Sequence, residues 1–110
     1  MGASKTEHFT DQQNQMATIF KALGHPARVA ILEYLLKVDN CICGDIVDSL
    51  PLAQPTVSQH LRELKNANII KGNIEGNAVC YCINEAIFEI LMQYFSHIKK
   101  GITNKKNTCC

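Results

Sequence analysis

Residues 51–84 read PLAQPTVSQHLRELKNANIIKGNIEGNAVCYCIN, and this stretch limits the possible folds more than any other part of the chain. A helix opens at Pro55, where the fixed φ of proline suits a first turn, and stops near Asn66-Ala67-Asn68. At about 100° per residue, Val57, Leu61 and Leu64 fall on one side of that helix. Gln59, Arg62 and Pro55 fall on the other, with Thr56 and Ser58 flanking them. Two runs of strand-forming residues, 69–74 and 79–83, follow around the turn Glu75-Gly76-Asn77, which predicts a hairpin directly after the helix. Gln, Ser, Thr and Arg side chains carry the donors and acceptors that base-pair edges present in the major groove. The segment therefore reads as a DNA-recognition helix followed by a β-wing.

The rest of the chain supplies elements of matching size. Thr10 or Asp11 caps a helix running to Leu23, with Met16, Ile19, Phe20 and Leu23 on its apolar face. Gly24-His25-Pro26 breaks the chain, and a second helix over 27–37 buries Val29, Ile31, Leu32, Leu35 and Leu36. Cys41-Ile42-Cys43 forms a short strand, and residues 45–50 a short helix ended by Pro51. The last helix, 85–100, starts at Asn84 and carries Ile87, Phe88, Leu91, Tyr94, Phe95 and Ile98 as a wide apolar stripe. The order ααβααββα is a mainly helical α+β fold with a small β-wing, a winged helix-turn-helix with an extra helix at each end. Its first and last helices carry more apolar surface than a domain of this size hides alone, which points to dimerisation through them. The expected organisation is a flexible arm over 1–9, the winged domain over 10–101 and a flexible, cysteine-ending tail over 102–110.

With 110 residues, 46% of them hydrophobic, the chain builds one core. No apolar run is long enough to span a bilayer, and the N-terminus lacks the apolar stretch of a signal peptide, so a cytoplasmic protein without membrane contact is expected. In that compartment the six cysteines are expected to be reduced, and to act as ligands or redox groups rather than structural disulfides. A net charge of +1 does not by itself indicate nucleic acid. The charge is nevertheless uneven: residues 1–60 hold four Lys/Arg against six Asp/Glu, and residues 61–110 hold seven against four. No Gly-rich nucleotide loop, Cys-x5-Arg phosphate loop or nucleophile with a neighbouring base is present, so the chain does not read as an enzyme.

Three segments together resemble the ArsR/SmtB family of small bacterial transcriptional repressors: FKALGHPARVAILEYL, DIVDSLPLAQPTVSQHLRELKNANII and IEGNAVCYCIN. The resemblance covers roughly residues 18–84. It implies a homodimer bound to double-stranded operator DNA, an inverted repeat, and released by an inducer such as a metal ion, trivalent arsenic or antimony, or a reactive sulfur species. It implies no constitutive cofactor. By position, Gln54, Thr56, Ser58, Gln59 and Arg62 of the recognition helix, with Lys71, Asn73 and Asn77 of the wing, are the DNA-binding candidates. Three features depart from the family pattern. Ala53 stands where a capping Ser is common, the wing is poor in arginine, and the run Cys41-Ile42-Cys43-Gly44-Asp45 sets its cysteines one residue towards the N-terminus from the usual Cys-x-Cys-Asp. The zinc site that some relatives build on the final helix is missing, because that helix offers only His97.

The cysteines fall in three pairs: Cys41/Cys43, Cys80/Cys82 and Cys109/Cys110. Residues two apart on a strand share a face. If the strand before the helix-turn-helix pairs with the last wing strand, Cys41, Cys43, Cys80 and Cys82 gather on one sheet face, while Val79, Tyr81 and Ile83 face the core. Four thiolates suit zinc or cadmium, three suit trivalent arsenic, and two on paired strands suit a reversible disulfide. Small apolar packing is the alternative role for such residues. Cys109 and Cys110, at the end of the tail, either complete such a site or stand idle. Three functions follow: a repressor released by a soft thiophilic ion bound to cysteines, a repressor governed by thiol oxidation or persulfidation, or a winged-helix module that binds protein instead of DNA.

Overall fold

The structure, a computed structural model, describes residues 7–37, 42–43, 50–75 and 78–105. Helix α1 (Asp11–Leu23) begins in a capping box. The Thr10 hydroxyl accepts the Gln13 N–H at 3.0 Å, and Gln13 Oε1 accepts the Thr10 N–H at 3.0 Å. Two donors that every helix start leaves orphaned are thereby satisfied. Gly24 closes α1, and α2 (Pro26–Lys37) follows with proline in its first position, as the Gly-His-Pro run predicts. His25 caps it, Nδ1 accepting the Ala27 N–H at 3.0 Å.

Helix α3 (Gln54–Asn66) starts one residue before the expected Pro55. Its N-cap, Ala53, has the extended backbone of a cap (φ −69°, ψ 151°) but makes no side-chain hydrogen bond. The far end is stopped by Asn68, which sits in the left-handed region at φ 61°. There the Ile69 N–H donates to the Leu64 carbonyl and the Asn68 N–H to the Lys65 carbonyl, both at 3.0 Å. These are the paired bonds of a left-handed helix stop, with Asn in the place usually taken by Gly.

Strands β2 (Ile70–Glu75) and β3 (Ala78–Ile83) pair antiparallel, Ile70 opposite Ile83 and Glu75 opposite Ala78. The two-residue strand β1 (Ile42–Cys43) pairs antiparallel with the other edge of β3, placing Ile42 opposite Tyr81 and Cys43 opposite Cys80. The sheet order is β1-β3-β2, so the expected neighbouring of the two Cys-x-Cys segments is observed at Cys43. Asn84 then binds three elements together. Its Oδ1 accepts the Ala86 N–H at 3.2 Å, its Nδ2 donates to the Asn68 carbonyl at 2.8 Å, and its own N–H donates to the Ile69 carbonyl at 2.9 Å. Helix α4 (Glu85–Asn104) runs four residues past its expected end at 100, through Gly101. Residues 102–104, expected in the tail, are thus helical. The helix expected over 45–50 lies outside the described residues apart from Leu50.

Ile19 of α1, Ile31 of α2, Val57 and Leu64 of α3, and Ile69 and Ile70 at the start of the wing are almost completely buried and form the centre of the core. Tyr81 and Ile83 of β3 pack on its edge, as the strand alternation predicts. The outer faces of α1 and α4 remain apolar and open: Phe20 is 39% exposed, Phe95 49% and Ile102 61%.

Since the backbone at Ala53 already has cap geometry, Ala53→Ser supplies the missing acceptor at no conformational cost. The substitution is expected to stabilise the protein by about 1 kcal/mol, read as a higher urea midpoint with an unchanged slope; no shift would show that α3 is capped in some other way.

Candidate nucleic-acid interface

Helix α3 presents a sharply divided surface. Val57, His60, Leu61 and Leu64 are buried, while Gln54, Pro55, Thr56, Gln59 and Arg62 are exposed and Ser58 is half-buried. The predicted front and back of the helix are the observed ones. Lys71 is exposed on β2, beyond the end of α3. Asn73 stands on the same strand opposite Cys80, and Asn77 lies outside the described residues.

Gln59, Arg62 and Glu63 form a network of i,i+3 and i,i+4 neighbours. Gln59 Nε2 donates to Glu63 Oε2 at 2.9 Å, and Arg62 Nη1 donates to Gln59 Oε1 at 2.6 Å. The ordering of Gln59 by Glu63 was missed at the sequence level, where Glu63 has no assigned role.

A second network sets the position of α3 on the domain. Arg28 of α2 donates from Nε to His60 Nδ1 at 3.1 Å and from Nη1 to the Ala22 carbonyl at 3.1 Å, so one guanidinium connects the end of α1 to the buried side of α3. The His25 and His60 rings lie 4.4 Å apart between centroids. Burial first, then the nearby His25 and Arg28, hold the His60 imidazole below its ordinary pKa, opposed by Glu63. With Nδ1 accepting from Arg28, the neutral form of His60 keeps its proton on Nε2. His60 is thus both a buried residue of the α3 back and a hydrogen-bond acceptor.

The cysteine sites stand as follows. Cys80 is fully buried yet lies apart from the main core cluster, and Cys82 is half-buried. Both are disulfide-bonded, against the reduced thiols expected of the chain. Across the β3–β2 ladder Cys80 stands opposite Asn73 and Cys82 opposite Lys71. Among the described residues no three His, Cys, Asp or Glu side chains gather where they could hold a metal ion. Cys41, Cys109 and Cys110 lie outside the described residues. Also among the described residues, no helix is long and apolar enough to cross a membrane.

Comparison with known proteins agrees with this geometry. The profile described as "Bacterial regulatory protein, arsR family" matches residues 25–71, from the His25 cap to Lys71. An uncharacterized HTH-type transcriptional regulator of Methanocaldococcus jannaschii is 39% identical over 83 residues, which are 74% of this chain and 92% of that protein. The arsenical resistance operon repressor of Staphylococcus aureus is 29% identical over 95 residues, 86% of this chain and 88% of that one. Among solved structures, the homodimeric winged helix-turn-helix DNA-binding domain of a possible ArsR-family regulator from Mycobacterium bovis superimposes with a TM-score of 0.63. Its sequence identity is 20%, covering 100% of this chain and 94% of that one.

The buried imidazole gives the stability a defined pH dependence. A histidine whose folded pKa lies below its unfolded value takes up its proton first in the unfolded chain. Stability is then full above about pH 6.5 and falls as the pH drops from there towards the folded pKa. Urea midpoints are therefore expected to fall between pH 7.5 and 5.5, and His60→Gln, which keeps an acceptor for Arg28, to flatten that part of the slope. Coincident slopes for the two proteins would assign the pH dependence to other groups.

Proposed function

This chain belongs to the arsR family of bacterial regulatory proteins, which are transcriptional regulators and not enzymes, and on that premise we propose that it is a dimeric operator-binding repressor under thiol control. The observation that carries the reading is α3: an exposed front of Gln54, Thr56, Ser58, Gln59 and Arg62 on a helix whose back is buried in the core. In this reading Thr56, Ser58 and Gln59 touch base edges, and Gln54, Arg62 and Lys71, with Asn73 and Asn77 of the wing, hold sugar and phosphate. The protein works in the cytoplasm, where the operator is, and needs no resident cofactor.

Two copies join through α1 and α4. The Phe20 ring lies 6.0 Å from Tyr94 and 5.8 Å from Phe95, and this aromatic cluster continues into exposed Ile98 and Ile102. A two-fold pair sets two recognition helices on half-sites one DNA turn apart, about 34 Å, which is the form of an inverted repeat. The M. bovis neighbour is described as homodimeric, which supports this assembly.

Two signals fit the cysteines. Similarity to a repressor named for arsenical resistance supports a soft, thiophilic ion as inducer, bound by Cys41, Cys43, Cys80 and Cys82, with or without Cys109 and Cys110. The disulfide-bonded state of Cys80 and Cys82 favours oxidation as the signal. A sulfur in a disulfide is not a thiolate, and the thiolate is the form that binds soft ions, so the ion reading applies to the reduced protein. Either way the chemistry happens on β3 directly across from Lys71 and Asn73, and it acts on DNA affinity by moving the wing against α3. Coupling of about 1–3 kcal/mol would change operator affinity about 5–150-fold.

Gel shifts of the reduced protein on its promoter, at two salt concentrations, should show binding that weakens steeply with salt; absence of binding at low salt would return the chain to a protein-interaction role. Arsenite, cadmium, zinc and a persulfide donor are then titrated in turn, and a thiol oxidant separately. Cys82→Ser is expected to keep operator binding and lose the response to the true signal; a response equal to the parent's would reduce the strand cysteines to packing. Phe95→Glu is expected to give monomers in sedimentation that no longer shift the operator, and a stable dimer would place the interface elsewhere.

A further inference from the structure

We infer that Gln59 reads an adenine, and that Glu63 is the positioning residue that fixes this choice. The inference rests on the proposed DNA-reading role of α3.

A glutamine amide has two N–H donors on Nε2 and two lone pairs on Oε1. In the structure Glu63 Oε2 takes one of the donors at 2.9 Å, and Arg62 Nη1 fills one of the lone pairs at 2.6 Å. One donor and one acceptor remain on an exposed residue. In the major groove adenine presents an acceptor, N7, beside a donor, the N6 amino group. Guanine presents two acceptors, cytosine a donor, and thymine an acceptor with a methyl group. Among single bases, adenine alone matches both remaining positions of Gln59.

The neighbours also fix which way the amide points. An ionised carboxylate only accepts and a guanidinium only donates. Turning the amide over would aim Oε1 at the Glu63 carboxylate and Nε2 at the Arg62 N–H, exchanging two hydrogen bonds for two repulsions. The freedom that lets an unsupported glutamine present either end to a base is therefore removed before DNA arrives. The half-buried position of Glu63 adds to this, since that side chain is less free than an exposed one to leave Gln59 for solvent. Ordering the reading group in advance lowers the entropy lost on binding.

The test selects randomised duplex DNA with the full-length reduced protein and with Gln59→Ala. The base position whose preference vanishes in Gln59→Ala is the one that Gln59 reads, and adenine is expected there in the parent. Replacing that adenine by 7-deaza-adenine, which lacks the N7 acceptor, or by purine, which lacks the N6 donor, should weaken binding by about 5–150-fold. The same replacements at adenines elsewhere in the site serve as controls. Glu63→Gln retains an acceptor and should keep part of the preference, whereas Glu63→Leu should abolish it at that one position; the two variants lose the same charge, so their affinities for unrelated DNA should be equal. A merely structural role for Glu63 would instead lower affinity for specific and unrelated DNA together. Guanine or a pyrimidine at the Gln59-dependent position, or indifference to the modified bases, overturns the inference while sequence-specific binding stands. Failure of the parent to enrich any sequence overturns the DNA-reading role of α3 and this inference with it.

Discussion

Every feature of the interface depends on how α3 is rotated about its own axis. Val57 and Leu64, two turns apart, are fully buried against Ile31, Ile69 and Ile70, with Leu61 between them. A roll of one residue would carry these side chains towards water, and each fully exposed one would cost about 1.5–3 kcal/mol. It would also pull His60 from Arg28, leaving the buried imidazole without its donor. The rotation is therefore held by apolar burial and aimed by one hydrogen bond, and the identity of the outward residues follows from it. Thr56, Gln59 and Arg62 are on the front because Val57, His60, Leu61 and Leu64 have no alternative to the back.

β3 plays the corresponding part for the wing. It lies between β1 and β2, so Cys80 and Tyr81 are paired on both sides. Its two faces are chemically distinct. Tyr81 and Ile83 pack towards the core, and Cys80 and Cys82 take the opposite face. On the proposed reading this division lets sulfur chemistry reach the wing without disturbing the packing that holds α3. Cys82 and Lys71 are directly opposed, a distance at which cross-strand side chains interact. A change at one sulfur thus reaches the proposed phosphate contact through a single rung of the ladder.

Periodicity made the helices and the hairpin legible, because burial on one face is a property of spacing. The helix after Pro55 and the split of β3 into two faces follow from periods of 3.6 and 2, whereas the pairing of the Cys-x-Cys segments is an inference from winged-helix topology. What escaped the sequence was decided by contacts across space. Arg28 and His60 lie 32 residues apart, and nothing in either neighbourhood announces their bond. The left-handed stop at Asn68 and the triple role of Asn84 are likewise clear only once α3, β2 and α4 are placed together. The four extra residues of α4 have a local explanation: glycine disfavours a helix interior, yet its cost of about 1 kcal/mol at Gly101 does not outweigh a continuing helix. For Cys80 and Cys82 composition argues for free thiols, while the strand pairing leaves open the disulfide-bonded state that they have.

The modest charge of the chain bears on how such a protein would discriminate between DNA sequences. Non-specific affinity scales with the number of phosphates neutralised, and a net charge of +1 with an arginine-poor wing allows few of them per subunit. Weak phosphate attachment lowers binding to every sequence alike, so the ratio of specific to non-specific binding rests more heavily on base contacts. Under that condition an unsupported reading side chain would be costly, because the entropy of ordering it comes out of a small total. The front of α3 is built the other way, with Gln59 already held between Glu63 and Arg62. On the proposed reading, one of the few basic side chains near the DNA is thereby committed in part to orienting a neutral reader, a sensible use of charge where direction at one base matters more than attraction to all phosphates.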